Sequence, residues 1–378
     1  MNQVSRISDW LRHAALPLWA EAGIDRAAGG FVERLDWVGA PVLDIPKRVR
    51  VQARQVYVYA HAHRLGLYPE ALSAAEQGFD FLIAHACPDG PEAGFVHALT
   101  RGGGVHSERR DTYDHAFLLF AFSALYRATG QDRVRAAIDA TAHALATRLR
   151  HPCGDGYADD DRLGEGRSQN PHMHLFEAFL EAYEATGSAT FLRNAEEISI
   201  LFRDRMFDPA RKVLREHYEA DWSAATGALG AIVEPGHHEE WAWLLHRHAR
   251  LSETPVALEA GALHGFARTH GRPGGSILLC DEIDPEGMVR KSSRRSWPQT
   301  EALKAELAFA EAAGMESPIA DAIVNALFDH YLAHPVPGAW IDWIDAAGVP
   351  IVDYVPASTF YHLFLAFSEY LRVAAIHE

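Results

Sequence analysis

Asn170-Pro-His-Met-His174, running on into Leu175-Phe-Glu-Ala-Phe-Leu-Glu-Ala-Tyr183, places ionisable side chains at the start of a segment that turns apolar and helical. In its second half apolar residues fill most positions, while Glu177, Glu181 and Glu184 recur at steps of three and four, the spacing of a single helical stripe. So narrow a polar face predicts a helix buried on most sides. Asn170 stands where an N-cap is expected and Pro171 at the first helical position, where its missing N–H costs nothing.

The same layout recurs. Arg48 to Tyr59, Thr112-Tyr-Asp-His115, Pro235-Gly-His-His-Glu-Glu240, Arg294-Arg-Ser-Trp-Pro-Gln-Thr-Glu301 and Ser358-Thr-Phe-Tyr-His362 each lead from a loop into an apolar run. The six starts fall near 48, 112, 170, 236, 297 and 358, a period of roughly sixty residues that accommodates two helices and their connections. Stretches before them, such as Gly29 to Leu35, Gly94 to His97, Gly154 to Ala158, Ser276 to Arg290 and Gly338 to Asp342, read as short hairpins or loops. Six helical hairpins in sequence predict an all-α fold, an (α/α)6 barrel, with short β-hairpins and loops at the active-site end. His115 to Tyr126, apolar on almost every face, is expected in the inner layer. The more charged Asp132 to Leu149 and Glu301 to Ala313 are expected in the outer one. Thr129-Gly130 and Thr186-Gly187 carry helix-end signals.

At 378 residues and 48% hydrophobic, the chain can bury a large core; the even repeat and the lack of a Pro/Ser-rich linker predict one domain over 1–378. A formal charge of -16 argues against nucleic acid or an anionic membrane as partner. Cys87, Cys153 and Cys280 are odd in number and widely spaced, so neither a disulfide framework nor a thiolate zinc motif is expected, and a cytoplasmic location follows as the default. Met1 to Gly23 reads as an amphipathic helix rather than a signal sequence, and no run approaches a membrane span. The expected state is a monomer or homodimer.

Among twenty-two histidines, three positions stand out. His237 shares a helix face with Glu240 at i,i+3; the alternative is a polar first turn favoured by the helix dipole. His174 lies four residues after Asn170. His362 sits in an aromatic helix, where an unpartnered imidazole would be costly to bury. Arg54 places a cation at the start of an apolar segment, either as a donor toward an oxygen-rich ligand or paired with Asp111 or Asp114. Tyr57, Tyr113, Trp297, Trp340 and Trp343 offer flat faces for a sugar ring, or fill the core. His237, Glu240 and His174 have the composition of a His2Glu metal set, but His-Glu-x-x-His is absent and no metal is expected. Gly271-Arg-Pro-Gly-Gly275 lacks the Lys-Ser/Thr of a phosphate loop, and no cofactor is expected.

Taken together, Asn170-Pro-His-Met-His-Leu-Phe-Glu-Ala178, Glu234-Pro-Gly-His-His-Glu-Glu-Trp241, Ser296-Trp-Pro-Gln-Thr-Glu-Ala302 and Tyr361-His362 resemble the N-acylglucosamine 2-epimerase superfamily. The resemblance runs from about Arg48 to about His362 and implies an (α/α)6 barrel. It also implies that His237 and His362 form the acid/base pair, that His174 and Glu240 bind or orient the substrate, and that Arg54 holds the oxygen that becomes negative. Asn170, Tyr113 and Trp297 look like further pocket residues. Arg295 to Glu301 is closer to the mannose and sulfoquinovose isomerase branch than to the double-Trp pattern of the epimerases.

These residue types suit the implied chemistry. Moving a carbonyl from C1 to C2 of an open-chain aldose removes a proton alpha to a carbonyl and returns it to the neighbouring carbon, work for a histidine. A fixed cation on the enediolate oxygen supplies a few kcal/mol more, roughly 3 to 4. The chemistry permits isomerase or epimerase; the likeness of Arg295 to Glu301 to the isomerase branch implies an aldose–ketose isomerase of the mannose/fructose type, through a cis-enediol(ate). A 2-epimerase requires only that the proton return to C2 from the opposite face. A phosphorylated substrate such as mannose 6-phosphate is also open, because Arg290, Lys291, Arg294 and Arg295 form a basic cluster. A glycosidase would use two carboxylates from Asp111, Asp114 and Glu240 and leave the histidines idle; a non-catalytic sugar-binding barrel would bind without turnover.

Overall fold

A computed structural model describes residues 2–164 and 166–377. Helix α1 (Gln3–Trp10) continues through a π turn into α2 (Leu16–Glu21). Five pairs follow: α3 (Val49–Arg64) with α4 (Ala71–His85), α5 (Thr112–Thr129) with α6 (Asp132–Ala144), α7 (Gln169–Thr186) with α8 (Ala189–Leu201), α9 (Pro235–Ser252) with α10 (Leu258–His270), and α11 (Ser296–Ala313) with α12 (Pro318–Ala326). Helix α13 (Phe360–His377) comes last.

The first member of each pair is the more deeply buried. In α5 the run Ala116 to Leu125 is wholly inside, and each buried Phe or Leu contributes about 1.5–3 kcal/mol. These helices touch one another in chain order, α3 to α5 to α7 to α9 to α11 to α13, and α13 returns to α3. Helices α4, α6, α8, α10 and α12 each cover their own partner. The outer partner of α13 is α1, so the sixth pair joins the first helix to the last rather than forming a hairpin in sequence. Trp10 meets Phe367 edge-on at 5.7 Å, and Trp19 stacks on Trp340 at 4.9 Å.

One expectation is overturned: Glu301 to Ala313 lies in α11, an inner helix. Its charges are matched internally, Lys304 by Glu301 at 2.6 Å and Glu306 by Arg272 at 3.4 Å. Charge marks an outer helix only when the charges lack interior partners.

The loops before the inner helices pair mostly across the repeat. Arg34–Asp36 runs antiparallel to Tyr354–Pro356, Lys47–Arg48 to Ala98–Leu99, Gly166–Ser168 to His217–Glu219, and Arg294–Arg295 to Trp343–Ile344. Local hairpins form at Ala98–Leu99 with Val105–Ser107 and at Glu282–Ile283 with Val289–Lys291. Both kinds of pairing gather at the end where the inner helices begin.

Candidate active site

The first turns of the inner helices open on one cavity of about 920 Å³. Arg54, Tyr113, Asn170, His174, His237, Glu240, Trp297 and His362 all line it. They come from α3, α5, α7, α9, α11 and α13, one or two from each.

Local sequence explains their placing. Asp111 caps α5, accepting from the Tyr113 and Asp114 N–H groups at 2.9 and 3.3 Å, which aims Tyr113 from the first turn. Asn170 is not the cap of α7: the helix begins at Gln169 with Ser168 before it, and the Asn170 amide oxygen is buried without a partner among the described residues. The Ser168 hydroxyl donates instead to Asp159 at 2.7 Å, which leaves Asn170 inside the helix and facing the cavity. Pro235 opens α9, and Gly236 follows because a Cβ there would stand 2.7 Å from the Trp297 ring. That close approach seats Trp297 between the two candidate catalytic rings, 4.8 Å from His237 and 5.7 Å from His362.

Arg54 pairs with neither Asp111 nor Asp114. Its guanidinium donates to the Tyr113 hydroxyl at 2.6 Å and to the Ser358 carbonyl at 3.1 Å, and lies 4.1 Å over the Phe117 ring. No carboxylate stands within ion-pair distance of it among the described residues. Asp114 is met instead by His97, at 2.6 Å, and by Arg50, at 3.8 Å.

The two histidines are poised oppositely. His237 Nδ1 lies 2.9 Å from Glu216 and 3.6 Å from Glu234. Burial alone would lower its pKa, but these two carboxylates outweigh burial and hold it at about 10. Gln169 keeps Glu216 in place, donating to it at 2.9 Å while accepting from the Trp241 indole at 2.7 Å. His362 is driven well below the ordinary value, first by burial and then by Arg54, Lys304 and His174; its Nδ1 lies 2.8 Å from Glu301. Environments that push two titratable groups apart in this way separate an acid from a base. His174, 3.2 Å from Glu177, is also neutral, its pKa lowered to about 4 by burial. Glu240 has both oxygens buried and without a hydrogen-bond partner among the described residues, and burial together with Glu301 raises it well above the usual carboxylate range.

Below these residues lies a layer that the sequence reading passed over. Tyr361 donates to Glu177 at 2.6 Å, and Lys304, wholly buried, sits 2.6 Å from Glu301. A lysine and two glutamates inside otherwise apolar helices were the available signal. Glu216, in the loop before α9, had none.

Three groups of donor atoms are close enough to hold a cation: His174, Glu177 and Glu240; Glu240, Glu301 and His362; and His97, Asp111 and Asp114. The first two already share the Lys304 ammonium, and the third is met by Arg109 at 3.0 Å and Arg50 at 3.8 Å. The positive charge these carboxylates need is thus supplied by side chains.

The basic cluster noted in the sequence is divided. Arg290 and Lys291 both contact Glu282. Arg295 lines the cavity, stacked 4.7 Å over Trp343, with no carboxylate at ion-pair distance among the described residues.

The helical fold is shared with solved structures of sugar isomerases and epimerases. The chain matches the N-acylglucosamine 2-epimerase (GlcNAc 2-epimerase) family over residues 29–366 and belongs to it. It is therefore an enzyme of the isomerase class. A protein of Rhizobium meliloti (strain 1021) named mannose-6-phosphate isomerase is 38% identical over 379 residues, covering 97% of this chain and 96% of its own length. D-mannose isomerase of Thermobifida fusca is 29% identical over 376 residues, 90% of each chain. A crystal structure of D-mannose isomerase superposes with a TM-score of 0.85 over 98% of this chain and 97% of that one, at 22% identity, which shows the shared fold.

Proposed function

We propose that the protein is an aldose–ketose isomerase of the mannose/fructose type, working through a cis-enediol(ate) inside an (α/α)6 barrel formed by residues 1–378. The observation that carries this reading is the opposed poise of His237 and His362 on one cavity, with Arg54 unmatched by any carboxylate beside them. His362, neutral, takes the C2 proton of the open-chain aldose. Arg54 holds the carbonyl oxygen as it gains negative charge, and the His237 imidazolium protonates that oxygen. Return of the abstracted proton to C1, with loss of the O2 proton to His237, gives the ketose and restores both rings. Trp297 supplies a face for the sugar; His174, Asn170, Tyr113 and Glu240 orient its hydroxyls. Neither a metal nor a cofactor is required by these steps, and the enzyme is proposed to work in the cytoplasm as a monomer or homodimer. Among the described residues no helix is long and apolar enough to cross a membrane.

A second reading, a phosphorylated hexose, is favoured by Arg295 and Arg34. Both line the cavity, both lie over aromatic rings (Arg34 4.4 Å from Tyr354), and neither has a carboxylate partner among the described residues. The name of the Rhizobium relative points the same way.

Proton NMR of the protein with D-mannose in D2O and excess EDTA tests both. Fructose carrying deuterium supports the isomerase; glucose appearing first assigns a 2-epimerase; turnover of mannose 6-phosphate alone assigns the second reading. Alanine at His237 or His362 abolishes all three, whereas a glycosidase would be spared.

A further inference from the structure

Lys304 is an ammonium with no exposed surface, held one helical turn beyond Glu301 in α11. Its Nζ lies 2.6 Å from one Glu301 oxygen and 3.9 Å over the Trp243 ring, away from the substrate cavity. The other Glu301 oxygen lies 2.8 Å from His362 Nδ1. Glu301 thus bridges a buried cation and the candidate base. Glu177 and Glu240 crowd the same space, and Glu240 has no hydrogen-bond partner among the described residues. Three carboxylates buried together do not all ionise unless a cation is present.

We infer that Lys304 is a positioning residue that fixes the tautomer of His362 by keeping Glu301 a carboxylate. A carboxylate only accepts, so Nδ1 must carry the imidazole proton and Nε2 is left with its lone pair. Nε2 has no protein partner among the described hydrogen bonds, and His362 lines the cavity. Remove the ammonium and Glu301, desolvated beside Glu240, takes one proton from solvent. Its O–H then donates to Nδ1, and the single imidazole proton moves to Nε2. The ring stays neutral and in place, yet offers a donor where the reaction needs a base. A wrong tautomer in an intact site is among the costlier single faults in proton-transfer catalysis. This inference rests on the reading of His362 as the base, but the tautomer itself is measurable without any substrate.

The test is long-range proton–nitrogen correlation NMR on the full-length protein labelled with 15N-histidine, with His362 assigned from a His362→Gln sample. The wild type is expected to show the Nδ1–H tautomer, and Lys304→Met the Nε2–H tautomer. Deuterium uptake into sugar during turnover in D2O falls about 10²- to 10⁴-fold in the variant, with KM changed less than about threefold. Lys304→Gln, which keeps a donor but no charge, is the second variant and behaves in the same way. An Nε2–H tautomer in the wild type overturns the inference whether or not either variant folds. An unchanged tautomer or wild-type kcat in a folded variant also overturns it. A tautomer that flips in a protein inactive on every sugar leaves the inference standing and removes the isomerase reading instead.

Discussion

His237 and His362 differ in their neighbours, and the neighbours decide their chemistry. Glu216 and Glu234 keep His237 charged to about pH 10 against the effect of burial, whereas burial, reinforced by Arg54 and Lys304, keeps His362 neutral. On the proposed roles, kcat/KM of the wild type holds up to an alkaline limb near pH 10, where His237 loses its proton. Glu216→Gln removes the largest stabilising charge, so His237 deprotonates earlier and that limb moves down by about one to three pH units; a pH–rate profile of both proteins measures it. The helical residues of the cavity, from Arg54 to His362, were legible in the sequence because each interrupts an apolar helix near its start. Glu216 was not, because nothing in a loop marks a carboxylate that will meet a histidine only after folding. Lys304 was missed for a related reason: the charges of Glu301 to Ala313 suggested an outer helix, while the partner of Lys304 sat one turn away on the same helix.

Each inner helix has to stop cleanly so that the chain can turn outward. Gly130, Gly187 and Gly314 end α5, α7 and α11 in the left-handed conformation, each N–H closing back onto the last turn. Helix α9 ends in the same way at Glu253, with φ 57°. A side chain there costs roughly 1 kcal/mol relative to glycine. Glu253→Gly is therefore expected to stabilise the protein by about 1 kcal/mol, read as a higher urea midpoint with unchanged slope. The helix-end signals at Thr129-Gly130 and Thr186-Gly187 were readable because glycine advertises this conformation; the end of α9 was not, since glutamate does not. The strands were least legible of all. Turn residues announce a loop, but the pairing of Arg34–Asp36 with Tyr354–Pro356 depends on which helices lie side by side, and local sequence carries no record of that.

Across the whole molecule, buried charge is concentrated at both ends of the inner helices. Away from the cavity, Glu181 of α7 meets Arg127 of α5 at 2.9 Å and also Arg247 of α9, which contacts Glu184 as well. Burial would raise Glu181, but Arg247 and Arg127 overcome it and lower its pKa to about 2. A carboxylate with a depressed pKa stabilises the fold above its ordinary value of 4.5, and that contribution is lost as pH falls through about 2. Glu181→Gln is expected to cost about 3 kcal/mol at pH 7. The deficit should shrink steadily between pH 4.5 and 2, as urea unfolding at a series of pH values would show. The meeting of α1 with α13 has a consequence of another kind. Translation makes α1 before α3 to α12 and α13 after them, and at about 5–20 residues per second the interval is on the order of tens of seconds. Through that time Trp10 of α1 has no Phe367 to meet, so the nascent chain presents an uncovered apolar edge to chaperones until α13 leaves the ribosome.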